Sequence, residues 1–280
     1  MKIRKLLVSA LCATLIPVAS IRAEPQNWLP EGSRTEAAGP PPAEYLTKGA
    51  KLEGLALLGK LLFNSPSLLG EKAVRIGLSC NSCHPNGHVN TSFYISGLSD
   101  EPGRIDLTNR FWRKGTEDHI FNPIPIPSLR NVSKTAPYGQ DLNLPSLVAF
   151  TRHVIVDEFD GPEPSSADMR ALIRYMELLA NETGSNMPVQ AHTATVPMLL
   201  KMLEEPLVSG KPDNYNRMAF LIREELGRRS TATTPFLKET ADLLGKIGRE
   251  LIKKKGTAKA TFDTLMAKIT NPKHQNTNFK

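Results

Sequence analysis

The sequence predicts an all-α chain, with helices on either side of a long irregular middle and a helical extension towards the C-terminal end. Apolar residues return at three- and four-residue spacing in several windows, the mark of amphipathic helices. Strand-type alternation is weak throughout. Between 85 and 145, periodicity gives way to Pro, Gly, Asn and Asp. A loop of that length inside a compact domain is unusual and needs something to pack against.

Residues 1–23 have the pattern of an export signal: Lys2, Arg4 and Lys5, then a mostly apolar run over 6–19. Cleavage fits after Ala23, with Ser20 as the rival. The run is too short to cross a bilayer, and no later stretch is long and apolar enough. Leu11 before Cys12 speaks against a lipoprotein. The expectation is an exported, periplasmic product with no transmembrane segment. Residues 24–45, with Pro40-Pro41-Pro42, read as a stiff Pro-rich lead-in.

The spacing predicts a helix over 45–63, carried by Leu46, Leu52, Leu55, Leu57, Leu58, Leu61 and Leu62. Helical spacing returns over 146–156 and 166–180, the latter started by Ser165/Ser166. Two more helices follow, over 213–226 and from Thr234-Pro235 to 255, the latter with proline at its first helical position. This divides the chain into a domain at 46–185 and a helical extension at 186–280. Charge divides in the same way. Residues 24–185 hold 15 Lys/Arg against 19 Asp/Glu, a balance of −4; residues 186–280 hold 16 against 9, a balance of +7. A basic tail fits an acidic partner protein or an anionic membrane surface, and export excludes nucleic acid. The plainer reading is a solvated helix face.

Chemistry concentrates at Cys80-Asn81-Ser82-Cys83-His84. C-x-x-C-H spacing reads as covalent attachment of one c-type haem. The two thiols, one helical turn apart, reach the two porphyrin vinyl groups, and the adjacent imidazole ligates the iron. Export supports this, because such haem is attached outside the cytoplasm. It also gives the irregular middle a core to pack on. Two readings compete. A structural zinc site would draw on Cys80, Cys83, His84 or His88, yet no second Cys pair follows. A thiol redox pair would sit beside a strand–helix–strand pattern, and none is evident.

Gly59-Lys60-Leu61-Leu62-Phe63-Asn64-Ser65-Pro66, leading to Gly77-Leu78-Ser79-Cys80-Asn81-Ser82-Cys83-His84-Pro85, resembles the entry to a haem domain of the bacterial cytochrome c peroxidase and MauG-like family. Pro127-Ser128-Leu129-Arg130-Asn131-Val132 with Thr135-Ala136-Pro137-Tyr138 is similar to that family's second signature. The resemblance covers about 50–182 and implies a cytochrome c-like haem domain. The tail from about 186 has no counterpart in it. Family members with peroxidase chemistry carry two haems, whereas this chain has one attachment motif. Gly139-Gln140-Asp141-Leu142 stands where the family has an aromatic residue or His and Asp-Gly.

His84 is the expected proximal iron ligand. The resemblance implies His153, on the helix after the second signature, as the candidate sixth ligand; a surface histidine beside Arg152 is the alternative. It likewise implies Arg130 for the haem propionates, since a guanidinium pairs bidentately with a carboxylate. His88 reads as a loop residue near the haem edge, and His119 as a weaker distal candidate. Met169 and Met176 follow the apolar stripe of the closing helix. Met187, Met198 and Met202 are expected to pack the tail against the domain. Phe111 and Trp112 are expected to wall the pocket, with Trp112 near an exposed edge as the variant. Asp157, Glu158 and Asp160 read as a solvated, helix-ending cluster.

The function expected is one-electron transfer with a redox partner protein. The alternative is a peroxidase-like or MauG-like oxidase reacting with hydrogen peroxide, a partner supplying the second redox centre. A haem-based sensor is a third.

Overall fold

The computed structural model describes residues 41–113, 115, 117–139, 142–181, 189–190, 194–229, 235–254 and 256–270. The export signal, nearly all of the lead-in, Met187 and Thr234 lie outside them. In chain order the elements are β1 (Tyr45–Leu46), α1 (Gly54–Phe63), α2 (Glu71–Ile76), α3 (Cys80–Cys83), β2 (Arg104–Ile105), β3 (Ile124–Pro125), α4 (Leu147–His153), α5 (Ser166–Leu178) and β4 (Val189–Gln190). Then come α6 (Val196–Lys201), α7 (Glu204–Val208), α8 (Pro212–Arg229), α9 (Pro235–Ile252) and α10 (Thr257–Thr270). The described chain is mostly helical. Its strands are two-residue antiparallel pairs, β1 with β4 and β2 with β3.

The helix expected over 45–63 begins only at Gly54. Ahead of it the backbone bonds to distant chain instead: Thr47 N–H donates to the Leu178 carbonyl and Ala180 N–H to the Tyr45 carbonyl, both at 2.9 Å. Gly54 itself has φ +52°, a left-handed conformation that starts the helix on a turn. Periodicity cannot register a bond to residues 130 positions away.

α1 packs closely along α5. At Gly59 an added Cβ would collide with the Ala171 carbonyl oxygen and the Tyr175 Cβ. Leu57, Leu61 and Phe63 meet Leu172, Tyr175 and Met176 in the core, and Phe63 sits edge-on to Tyr175 with centroids 5.3 Å apart. Ser165 caps α5 by accepting from Asp168 N–H at 3.1 Å.

The helical extension lies on this pair. α8 packs on α1 and α9, α9 on α10, and α10 on α6. Ser65 Oγ donates to Glu224, and Arg217 pairs with Asp168 in the first turn of α5. Under the junction, Glu44 is buried, paired with Lys60 at 2.6 Å and accepting from Tyr175. One apolar core runs from Leu46 to Ile269 through both regions. Three elements of the tail, α6, α7 and α10, go beyond the two helices expected there. No helix among the described residues is long and apolar enough to cross a membrane.

Candidate functional site

Cys80–Cys83 fold as a single helical turn, so the two cysteines stand three residues apart on one face. Ser79 and Ser82 close the turn reciprocally, Ser79 N–H donating to Ser82 Oγ at 3.0 Å. Fully buried Leu78 anchors its entry. Its exit is held by Asn90, whose N–H donates to the Cys83 carbonyl at 3.1 Å and whose Nδ2 donates to the Ser82 carbonyl at 2.7 Å. Asn86 takes φ 51° and donates its N–H to Asn81 Oδ1, turning the chain sharply after the motif.

His84 follows this turn, its N–H donating to the Cys80 carbonyl at 2.9 Å. Its Nδ1 lies 2.8 Å from the Pro127 carbonyl oxygen. A carbonyl only accepts, so Nδ1 carries the proton and Nε2 keeps its lone pair. Burial pushes the ring's pKa down to about 4, partly offset by that hydrogen bond, so the imidazole is neutral at physiological pH. A neutral imidazole with a fixed tautomer is the state a metal ligand needs.

The second signature is clamped onto the first. Leu129 N–H donates to the Gly87 carbonyl at 2.9 Å and Ser128 Oγ reaches the same oxygen at 3.3 Å. Asn131 N–H donates to the Leu179 carbonyl at 2.8 Å, and Gly87 packs against the Leu179 side chain. The cysteine turn, the Pro127–Asn131 stretch and the end of α5 thus meet at one place. Arg130 belongs to this cluster. Its Nε is buried and has no hydrogen-bond partner among the described residues. A buried guanidinium N–H without an acceptor is costly, and it is where an acidic group from outside the chain would bond.

The cysteine thiols are free. Burial pushes the Cys80 thiol up to about 12 and raises Cys83 as well. A redox pair of the thioredoxin kind has a lowered thiol pKa, so this environment opposes that reading. Among the described residues no three His, Cys, Asp or Glu side chains are grouped to hold a bare metal ion. His88 instead has Nε2 3.0 Å from the Ala43 carbonyl oxygen.

His153 closes α4, where the chain runs on into a π-helical turn at Val154–Glu158. Its Nδ1 lies 3.2 Å from Asp157 Oδ2, while Nε2 has only a long 3.7 Å approach to Glu158 Oε1. His153 thus stands between two carboxylates, and among the described residues no hydrogen bond or ion pair joins it to the cysteine turn. The acidic residues here are more engaged than a solvated cluster. Asp157 pairs with Arg113 at 3.4 Å and Arg152 at 3.6 Å, Asp160 pairs with Lys72 at 3.6 Å, and burial raises the Glu158 pKa.

Trp112 is fully buried and does not reach an exposed edge. Its indole N–H donates to the Asp106 carbonyl at 2.9 Å, and it packs edge-on between Phe111 and Phe159. Phe111 is partly exposed. His119 stands on an exposed loop with φ 62°. Met169 and Met176 are core residues, and half-buried Met202 packs on the same core. Sequence reasoning passed over the Pro127 carbonyl and Asn90. Neither leaves a local signal, since the first acts through its backbone and the second through a short polar side chain.

No protein-family model, curated protein or solved structure matches the chain. Two free cysteines on one turn, a histidine with its tautomer set, and a guanidinium whose Nε lacks an acceptor among the described residues are a donor set that could hold a covalently attached haem.

Proposed function

We propose that the chain is a mono-haem c-type cytochrome that exchanges one electron with a partner protein in the periplasm. The observation that carries this is the His84–Pro127 hydrogen bond beside the single turn of Cys80 and Cys83. Cys80 and Cys83 would hold the porphyrin by thioether bonds. His84 Nε2 and His153 would supply iron ligands, and Arg130 would pair with a propionate. The haem supplies the redox couple; the protein supplies ligands, burial and hydrogen bonding.

Each of these residues has a definable task. Pro127 accepts from Nδ1 and so raises the basicity of the ring that meets the iron. Ser79, Ser82 and Asn90 hold the cysteine turn rigid. The crossing of α1 and α5 at Gly59, with the cysteine turn tied to the end of α5, suits the cytochrome c-like domain that the resemblance implies. With His153 as the second iron ligand no position would stay open to peroxide, and that ligation is what would separate a carrier from a peroxide-reacting enzyme.

Spectroelectrochemical titration of the exported protein tests the reading. A single reversible transition following a one-electron curve, with a ferric spectrum unmoved by hydrogen peroxide, is expected. A ferryl-type spectral change on peroxide addition would replace the carrier with the peroxidase reading.

A further inference from the structure

We propose that Arg223 and Arg249 form a binding site for a phosphate-type oxyanion on the outer face of the C-terminal helices. Arg223 comes from α8 and Arg249 from α9, and both guanidinium groups close over Gly245. The point where a Gly245 Cβ would stand is 3.4 Å from Arg249 Nη1, 3.6 Å from Arg223 Cζ and 3.7 Å from Arg223 Nη1. Two like charges brought this close repel one another unless an anion lies between them.

Other arginines nearby are neutralised by carboxylates: Arg217 by Asp168, and Arg228 and Arg229 by Glu225. Arg223 and Arg249, both exposed, pair with no carboxylate among the described residues. Gly245 sharpens the point. It lies inside α9 with ordinary helical φ, so the backbone does not require glycine, and glycine there weakens a helix by about 1 kcal/mol relative to alanine. Glycine there keeps a side chain out from under two guanidinium groups that already stand at van der Waals distance from where its Cβ would be.

Arg249 also lines a shallow groove of about 480 Å³ together with Lys238 and Lys246. Two acids face the same groove. Glu239 is occupied by Lys268 at 2.6 Å, which leaves Asp242, one turn before Lys246. The local field is therefore positive. Paired planar guanidinium forks match the oxygen geometry of a phosphate better than a diffuse patch of lysines does. A free phosphate and a phospholipid headgroup share this chemistry. The site is independent of the haem reading and stands or falls separately.

The test uses the full exported chain and three probes at constant ionic strength: inorganic phosphate by calorimetry, phosphatidylglycerol vesicles by sedimentation, and poly-glutamate. Saturable phosphate binding is expected, weakened at least tenfold by Arg223→Gln or Arg249→Gln and unchanged by Lys201→Gln on α6. Vesicle binding lost in the same two variants identifies a headgroup as the source; phosphate binding without vesicle binding identifies free phosphate. Absence of binding to both, binding that survives both substitutions, or binding to poly-glutamate alone would overturn the proposal.

Discussion

His84 Nδ1 donates to the carbonyl oxygen of Pro127 at 2.8 Å, joining two motifs that lie 43 residues apart. This contact decides which ring nitrogen is free to act as a ligand. Within the irregular Pro127–Asn131 stretch, backbone groups bond to His84, Gly87 and Leu179, while Arg130 N–H donates to Ser128 Oγ and the Leu129 carbonyl accepts from Val132.

Arg130→Gln separates a cofactor contact from a structural one. The Arg130 Nε has no protein partner among the described residues, so the haem-free protein should lose little stability, within about 0.5 kcal/mol. The haem-loaded protein should lose about 1.5–3 kcal/mol, the range for a hydrogen bond to a charged group. Urea unfolding of both forms gives the comparison. Equal losses in the two would remove the propionate role.

His153→Ala bears on the sixth ligand. The ferric spectrum should change from low-spin to high-spin, read by optical absorption and spin resonance, while Asp157→Asn should shift the potential and leave the spin state alone. A low-spin spectrum in His153→Ala would return His153 to the surface as a partner of Asp157.

Gly59→Val tests the helix crossing. The new side chain meets the backbone carbonyl of Ala171, which cannot swing aside as a side chain would. Overpacking should destabilise the fold by about 1–3 kcal/mol or more, measured by urea denaturation. A neutral effect would mean that α1 and α5 are further apart than described.

The legible part of this fold was its periodicity. α5, α8 and α9 follow apolar spacing closely, since each buries one stripe on neighbours it meets along its whole length. α10 has the same kind of stripe in Ala258, Phe262, Leu265 and Ile269, and could have been read. The stretch before Gly54 could not, because its hydrogen bonds go to the far end of the domain. Cys80, Cys83 and His84 stand out by spacing alone, whereas the Pro127 carbonyl and the unpartnered Nε of Arg130 appear only once the chain is folded.

Glu224 gives a pH dependence at the junction of the two regions. Burial raises its pKa above the ordinary 4.5, opposed by hydrogen bonds from Ser65 and Ser67 and by Arg228. The folded state therefore holds this proton more tightly than the unfolded chain. Its contribution to stability is fully present below about pH 4.5 and is lost as the pH rises through the raised value. Glu224→Gln should flatten the stability profile over that window in unfolding series. Parallel profiles for the two proteins would deny the burial effect.

The central claim is covalent attachment of one haem, and the intact mass of the exported protein measures it directly. Expression in a host that matures c-type cytochromes should yield the mature chain plus one haem, the added mass surviving denaturation. Replacing both Cys80 and Cys83 by Ala should abolish it. An intact mass without haem, or one showing a Cys80–Cys83 disulfide in its place, would contradict the account.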